Sequence, residues 1–268
     1  MNNLHRELAP ISEKAWAQIE EEATRTLKRH LAARRVVDVV GPKGTDLAAV
    51  GTGHVREIKP PADGVLAAQH EAKALVELRV PFQLARDAID DVERGATDSN
   101  WAPVKEAARK IALAEDAAVF EGYGAAGIEG IRQGCSNPKL ALPASVKAYP
   151  GAVAQAVSQL RLAGVNGPYV LLLGADAYTA ATGGTDEGYP VLRHIERLVE
   201  GEIIWAPAID GGYVVTTRGG DFELDIGQDI SIGYSSHTRM NVELYLQETF
   251  TFRMLTSEAA AVLRPAKK

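Results

Sequence analysis

The first clear pattern along the chain is a helical repeat of apolar residues near its start. These residues follow one another at steps of three and four, the spacing that places side chains on one face of a helix. They are Trp16, Ile19, Ala23, Leu27 and Leu31. Ser12 precedes the repeat as a suitable N-cap, and Lys28 and Arg29 lie near its end, where positive charge interacts favourably with the helix dipole. The pattern predicts an amphipathic helix over 12–33, followed by a short strand over 36–40.

Two more helices are predicted further along. Residues 87–95 form a short one, and Pro103, a residue suited to a first helical turn, begins a long one that ends at Gly122. The apolar face of the long helix consists of Val104, Ala108, Ile111, Ala118 and Val119. Between these helices and the first one, residues 45–80 have mostly small, sparse apolar side chains, and Pro60, Pro61, Asp63 and Gly64 mark a turn. We expect a long hairpin with little core of its own, which acts as a mobile flap or packs on another subunit.

The pattern changes to alternating helices and strands after residue 149. Helices are predicted over 152–162, from Ala175 onward and over 190–199, and strands at YVLLL, EIIWAP and YVVTT. This alternation is typical of an α/β unit. Short strands FELDI and ISIGY follow, and the segment NVELYLQETFTFRML places apolar residues on one face at period two. They are Val242, Leu244, Leu246, Phe250 and Phe252.

Length and charge restrict the class of protein. A chain of 268 residues, 46% of them hydrophobic, suits one large domain or two interleaved ones. The 29 basic and 35 acidic side chains give a net charge of -6, which argues against a nucleic-acid binder. No apolar run approaches the ~20 residues of a membrane span, and the start lacks the basic-then-apolar pattern of a signal peptide. We expect a soluble cytoplasmic protein.

A search for chemistry identifies no active site. The six histidines are scattered without ligand spacing, so no metal site is predicted. Cys135, the single cysteine, lies in a Gly/Ser-rich loop and is interpreted as a structural thiol. The carboxylate pairs Asp90-Asp91 and Asp186-Glu187 are interpreted as solvated acidic faces, and the glycine pairs match neither a P-loop nor a dinucleotide fingerprint. No G-x-S-x-G is present. These negative results favour a structural or binding role without a cofactor.

Several long segments resemble one family. They include the opening NNLHRELAPISEKAWAQIEEEATRTLKRHLAARRVVDVVGP, the stretch LVELRVPFQLARDAIDDVERG, the helix with AEDAAVFEGY, the phrase VNGPYVLLL, and RGGDFELDIGQDISIGY followed by LYLQETFTF. All of them look like the encapsulins, shell proteins of bacteria and archaea that are related to the major capsid proteins of tailed phages. The resemblance runs from the first residue to the last predicted strand and is close to the actinobacterial members.

The resemblance implies an α+β fold of the Hong Kong 97 phage-capsid type, with a peripheral domain, an extended arm and an axial α/β domain. The expected parts are 1–44 (N-terminal helix and start of the peripheral domain), 45–80 (arm), 81–134 (peripheral domain with the long helix), 135–220 (axial domain) and 221–268 (return strands of the peripheral domain).

The resemblance also implies a shell protein that is not itself an enzyme. About sixty copies would close into a T=1 icosahedral cage. The cage would capture a cargo enzyme through a short C-terminal docking peptide on that enzyme. In actinobacterial relatives the typical cargo resembles a haem-dependent, dye-decolourising peroxidase, which suggests a link to oxidative stress; ferritin-like proteins are further candidates. A prophage-type capsid protein that packages DNA is the alternative, disfavoured by the net acidity. A small hydrolase is a third possibility, disfavoured by the absent motifs.

The resemblance further implies two sites. The docking peptide would lie in a groove with apolar walls and a polar edge, formed by Leu27, Leu31, Ile230, Arg34, Asp38 and Asp229. The alternative is that the three apolar residues are plain core and that Arg34 and Asp38 form a surface ion pair. A loop around the five-fold axis would comprise Gly183, Gly184, Thr185, Asp186, Glu187, Gly188 and Tyr189. Its two carboxylates would form a negative ring; the alternative is an ordinary acidic loop. Some family members stack a flavin on a tryptophan where this chain has Asp87, so no flavin is expected.

Overall fold

The computed structural model describes residues 3–266, and these contain seven α-helices and fourteen strands. The helices are α1 (Glu13–His30), α2 (Arg86–Glu93), α3 (Ala102–Glu121), α4 (Ile131–Gly134), α5 (Tyr149–Leu162), α6 (Ala175–Gly183) and α7 (Val191–Val199). The strands of the first half are β1 (Asp38–Val40), β2 (Ala49–Glu57), β3 (Ala68–Ala74), β4 (Val76–Ala85) and β5 (Leu140–Leu142). Those of the second half are β6 (Tyr169–Leu173), β7 (Thr185–Asp186), β8 (Tyr189–Pro190), β9 (Ile203–Trp205), β10 (Gly212–Thr216), β11 (Phe222–Ile226), β12 (Ser231–His237), β13 (Asn241–Met254) and β14 (Ala260–Pro265).

Helix α1 begins where its sequence predicts and ends three residues before the predicted residue 33. The Ser12 hydroxyl accepts a hydrogen bond from the backbone N–H of Ala15 at 3.3 Å, which satisfies one of the free donors of the first turn. The helix ends at His30, because Leu31 adopts an extended backbone conformation. Ile19 and Ala23 on its inner face are buried, so the predicted amphipathic pattern is confirmed.

The first sheet is built around β13, the longest strand. It has the order β1-β11-β13-β12, and β4 pairs with β13 along the whole of its own length. The five apolar residues predicted on one face of β13 are all buried. Helices α1 and α3 pack against the N-terminal half of this strand. Gln247 and Glu248 are buried as well. Both faces of β13 are therefore covered, which the alternating pattern alone did not predict.

The second sheet has the order β5-β14-β10-β6-β9 and divides two cores. Tyr169, Leu171 and Leu173 of β6 face a core shared with α5 and α7. Val170 and Leu172 face the opposite core, which the second sheet shares with the first sheet and with α3. All five residues of β6 are buried, as expected for a short, continuous apolar run in the middle of an α/β unit.

The last strand belongs to the second sheet, whereas residues 221–268 as a whole were expected to belong to the peripheral domain. Strand β14 pairs with β10 and β5 in the second sheet, with Ala261 opposite Val214. Its residues from Ala260 to Leu263 are buried, and an apolar run without alternation suits a strand covered on both faces. The first two and last two residues of the chain lie outside the described residues.

The arm is the two-stranded hairpin β2–β3, which registers Ala49 with Ala74 and Glu57 with Ala68. The turn predicted at 60–64 lies between its strands. Its C-terminal boundary is earlier than the predicted residue 80, because residues 76–80 begin β4 and pair with β13. Strand β4 alternates at period two and packs its apolar face into the core shared with α1 and α3, which explains why it leaves the arm.

Candidate functional site

The end of α1 and the loop before β12 enclose an open groove of about 400 Å³. It is lined by Thr24, Leu27, Lys28, Leu31, Arg34, Arg35, Asp229 and Ile230. Five of the six residues predicted for a peptide groove therefore lie together. Leu27 lies in the last turn of α1 and Leu31 directly follows the helix, and both are half-buried, as is Ile230. The three side chains thus pack partly on the protein while they keep apolar surface exposed in the groove.

Arg34 forms the inner polar edge of the groove and is held by three carboxylates. Its Nε donates to both carboxylate oxygens of Glu115 at 2.9 Å, and its Nη1 donates to Oδ1 of Asp229 at 2.7 Å. Its Nη2 lies 2.5 Å from Oε2 of Glu115 and 3.4 Å from Oε2 of Glu248. Burial opposes the charge of the guanidinium, but the hydrogen bonds and charges of Glu115 and Asp229 raise the pKa of Arg34. We call Arg34, Glu115, Asp229 and Glu248 the arginine cage.

The wall of the groove is also fixed through its backbone. The carboxylate of Asp116, on α3, is fully buried and accepts hydrogen bonds from the backbone N–H groups of Ala32 and Ala33, both at 2.9 Å. Burial raises the pKa of Asp116 to about 7, against the effect of these two hydrogen bonds. The chain that leaves α1 is therefore held in place by α3.

Glu248 is the least compensated carboxylate of the arginine cage. Its side chain has 0% exposure, and within residues 3–266 its Oε1 has no hydrogen-bond partner. Burial first, and then the neighbouring charge of Glu115, raise the pKa of Glu248 well above its usual range. A buried acid in this position retains its proton to higher pH than a glutamate in water does.

The buried members of the arginine cage were missed in the sequence, although a signal is present. Glu115 lies four residues after Ile111 and three before Ala118, so it occupies the apolar face of α3. Glu248 occupies the inward position between Leu246 and Phe250 in the period-two pattern of β13. A charged residue at a position that the pattern reserves for a core side chain marks a paired, buried charge.

Asp38 does not lie in the groove. It is the first residue of β1, and its Oδ2 accepts a hydrogen bond from the backbone N–H of Gly220 at 2.6 Å. It lines a separate cavity of about 180 Å³ that also includes Gly219. The predicted place of Asp38 at the polar edge of the groove is therefore wrong, and so is the alternative in which Arg34 and Asp38 form a surface ion pair. The guanidinium turns inward to Glu115, whereas β1 directs Asp38 to the turn before β11.

The predicted pore loop is a short hairpin formed by β7 and β8. Glu187 and Gly188 at its tip have φ of 48° and 85°, the left-handed conformations of a tight hairpin turn. At its base, a Cβ on Gly184 would lie 2.8 Å from Cγ1 of Val146, so only glycine fits this contact. The ring of Tyr189 stacks on His194 with centroids 4.6 Å apart. These contacts fix the hairpin against the rest of its subunit.

The two carboxylates of this hairpin have different surroundings. Asp186 lies 3.8 Å from the ammonium of Lys147, which offsets part of its charge. Glu187 is exposed at the tip. The negative charge that the hairpin presents to solvent therefore comes mainly from Glu187.

Further features of the described chain concern metal binding, membrane-spanning helices, the cysteine and Asp87. Residues 3–266 contain no cluster of three or more histidine, cysteine, aspartate or glutamate side chains able to hold a metal ion. Over the same residues, none of the helices has the length and apolar character needed to cross a membrane. Cys135 is buried and its thiol donates to the carbonyl of Ala260 at 3.0 Å, and burial raises its pKa, as suits a structural thiol. Asp87 is exposed in the first turn of α2.

Solved structures with this fold are the subunits of virus-like shells. A virus-like particle from Pyrococcus furiosus superposes with a TM-score of 0.67 over 92% of this chain and 98% of its own, at 15% identity. The capsid protein of the Myoviridae phage XM1 gives a TM-score of 0.54 over 88% and 92%, at 10% identity. The α+β fold of the phage-capsid type is thereby confirmed.

Relatives of higher sequence identity show the family to which this chain belongs. The family model described as "Encapsulating protein for peroxidase" matches residues 1–251. A type 1 encapsulin shell protein of Rhodococcus erythropolis is 62% identical over 98% of this chain and 100% of its own length. That of Mycobacterium tuberculosis is 58% identical over 98% and 99%. The chain belongs to the encapsulin family. It is a structural protein that assembles with copies of itself into a cage, and it is not an enzyme.

Proposed function

We propose that this chain forms a cytoplasmic cage of about sixty subunits and takes up a cargo enzyme through the groove beside α1. The cargo is a dye-decolourising peroxidase that carries a C-terminal docking peptide. The observation that carries the proposal is the juxtaposition of three half-buried aliphatic side chains with a fixed polar edge. The matching family is described as an encapsulating protein for peroxidase, which supports the choice of cargo.

The groove has the chemistry that a short extended peptide requires. Its apolar walls bury aliphatic side chains of the peptide, each contributing roughly 1.5–3 kcal/mol on full burial. The charged groups of the rim set the register and direction of the peptide. A single site of this size binds weakly, but the many copies inside one cage hold an oligomeric cargo by avidity.

The groove is tested by placing charges on its two walls. Leu31→Asp combined with Ile230→Asp is expected to give intact cages that no longer load a fluorescent protein carrying the C-terminal tail of the peroxidase. Leu162→Asp is the matched control, because Leu162 is 86% exposed and lies on α5, away from the groove. Co-expression, purification of the particles and the ratio of fluorescence to shell protein give the measurement.

Two outcomes oppose the proposal in different ways. Full loading of the double variant removes the groove as the docking site. Loss of the cages in the double variant, with normal cages from Leu162→Asp, shows instead that Leu31 and Ile230 are core residues of the subunit.

We also propose that the β7–β8 hairpin surrounds the five-fold axis of the cage. The exposed carboxylate of Glu187 at its tip supports this role, because a ring of such groups favours cations and neutral solutes over anions. The contacts of Gly184 and Tyr189 support a hairpin that keeps its shape in the wall of a pore.

A further inference from the structure

The arginine cage contains more negative charge than one arginine can balance. Three carboxylates face the guanidinium of Arg34, and the side chains of Glu115 and Glu248 both have 0% exposure. Arg34 donates to Glu115 from two nitrogens and to Asp229 from a third, so little of its hydrogen-bonding capacity remains for Glu248. An uncompensated buried carboxylate is costly, and a proton removes that cost.

We propose that Glu248 and Glu115 are positioning residues for the cargo groove, which act through Arg34 while one proton is retained on the pair. Neither glutamate lines the groove. Arg34 and Asp229 do line it, and both are held by the arginine cage. The inference rests on the proposed role of the groove, and it adds a dependence of cargo docking on the protonation of two residues outside it.

The groups around Glu248 come from four elements. Helix α3 provides Glu115, the segment after α1 provides Arg34, and the loop before β12 provides Asp229. On β4, Leu78 is the cross-strand partner of Glu248 and shares its face of the sheet. Glu77 and Arg79 are the neighbours of Leu78 in sequence and point to the opposite face. Asp116, the next residue on α3, binds the backbone of Ala32 and Ala33 instead. Glu115, Arg34 and Asp229 are therefore the charged groups that act on Glu248.

Loss of the proton changes the forces on Arg34. A second buried negative charge then repels Glu115 and attracts the guanidinium away from Asp229. Because the pKa of Glu248 is raised in the folded state, its stabilising contribution is present below the ordinary pKa of a glutamate and is lost as pH rises through the raised value. Asp116 acts in the same direction, but its contribution is lost by its pKa of about 7. Glu248→Gln separates the two effects, because it removes the titration of Glu248 and leaves that of Asp116.

Hydrogen–deuterium exchange on whole cages tests this proposal. Cages loaded with the fluorescent protein that carries the peroxidase tail are compared with empty cages from about pH 6 to about pH 9, after correction for the intrinsic exchange rate. In the wild type, the additional protection that cargo gives to residues 27–35 is expected to fall by about tenfold at the alkaline end, a change of ~1.4 kcal/mol. Glu248→Gln has the shape of the protonated side chain and is expected to lose less of this protection than the wild type, because only Asp116 then titrates. Glu243→Gln, on the exposed face of the same strand, is the matched control and is expected to behave as the wild type.

Each outcome decides between the two proposals. Equal protection of residues 27–35 in loaded and empty wild-type cages at every pH overturns the groove, and with it this inference. Protection by cargo that shows the wild-type pH profile in Glu248→Gln overturns the positioning role alone. If Glu248→Gln does not form cages, infrared spectra of wild-type cages decide. The proposal requires a band of a protonated carboxylic acid that persists above the pKa of about 7 of Asp116, and its absence overturns the retained proton.

Discussion

The strands of the arm and those of the second sheet differ in how much of their side-chain surface they bury within the subunit. In β3, six of seven residues are exposed, whereas all five residues of β6 are buried. A strand gains stability chiefly from the apolar area that its side chains remove from water. Strand β6 obtains this from helices on one face and the first sheet on the other. The arm obtains almost none within its own subunit, and an isolated two-stranded hairpin is marginally stable at best.

The difference indicates which contacts form within the subunit and which form between subunits of the cage. Exposed apolar residues concentrate near the tip of the arm, where Val55, Ile58 and Val65 are at least 44% exposed and Leu66 is 100% exposed. Such a cluster on an extended element marks an interaction surface. Because the chain forms cages with copies of itself, we expect a neighbouring subunit to cover this cluster. The second sheet is therefore stabilised by contacts within the subunit, and we expect the arm to become ordered through contacts in the cage.

Deletion of the arm should have the largest effect on the molecule. Ala49 and Ala74 are cross-strand partners, so a short turn can join them after removal of residues 50–73. The subunit is expected to keep both sheets, since neither contains an arm strand, and to lose the ability to form closed cages. Far-ultraviolet circular dichroism measures the first property, and size-exclusion chromatography with electron microscopy measures the second.

Closed particles of normal diameter from the deletion variant would show that the arm has no role in assembly. An unfolded variant would show that the arm stabilises its own subunit and is not ordered by the cage alone.

A pair of leucine truncations sharpens the same contrast at smaller amplitude. Leu172 on β6 has 0% exposure, and its truncation to alanine is expected to cost about 2–5 kcal/mol of subunit stability. Leu66→Ala removes the same atoms from the arm and is expected to leave subunit unfolding unchanged. It should instead lower the denaturant concentration at which cages dissociate, because the lost contact is with a neighbour. Tryptophan fluorescence follows unfolding, light scattering follows dissociation, and equal effects of the two variants on unfolding would contradict the assignment.

The elements of the subunit were predictable to different extents, for physical reasons. Helices α1 and α3 and strands β6 and β13 have strong periodicity or continuous apolar runs, and each was predicted within a few residues of its bounds. The end of the arm and the sheet that contains β14 were not. Both depend on pairing between residues far apart in sequence, such as Val80 with Leu246 and Ala261 with Val214, and local patterns carry no information on such partners.

The groove was predicted only in part. Leu27 and Leu31 share the apolar face that periodicity predicts for the first helix, but their apposition to Ile230, about 200 residues later, came from family resemblance. Asp38 was misplaced because Glu115 and Asp116, two buried acids of α3, hold residues 32–34 and so set the course of the chain toward β1. Their positions on an apolar helix face were visible in the sequence, while their partners were not.

The smallest effect is expected at the β7–β8 hairpin, which is exposed as the arm is but is held by its own subunit. Glu187→Lys reverses the exposed charge at the tip, while Asp186→Lys also removes the ion pair with Lys147. Neither change alters the contacts of Gly184 or the stack of Tyr189 on His194, so cages are expected to keep their diameter. Because a ring of like charges acts on ions through local potential, Glu187→Lys should slow the entry of small cations and speed that of small anions, each by no more than about tenfold. Stopped-flow quenching of an encapsulated fluorophore by a cationic and an anionic quencher measures both rates. Unchanged rates for both quenchers would place the hairpin outside any pore, and loss of cages would show that this second hairpin is needed for assembly in the same way as the arm.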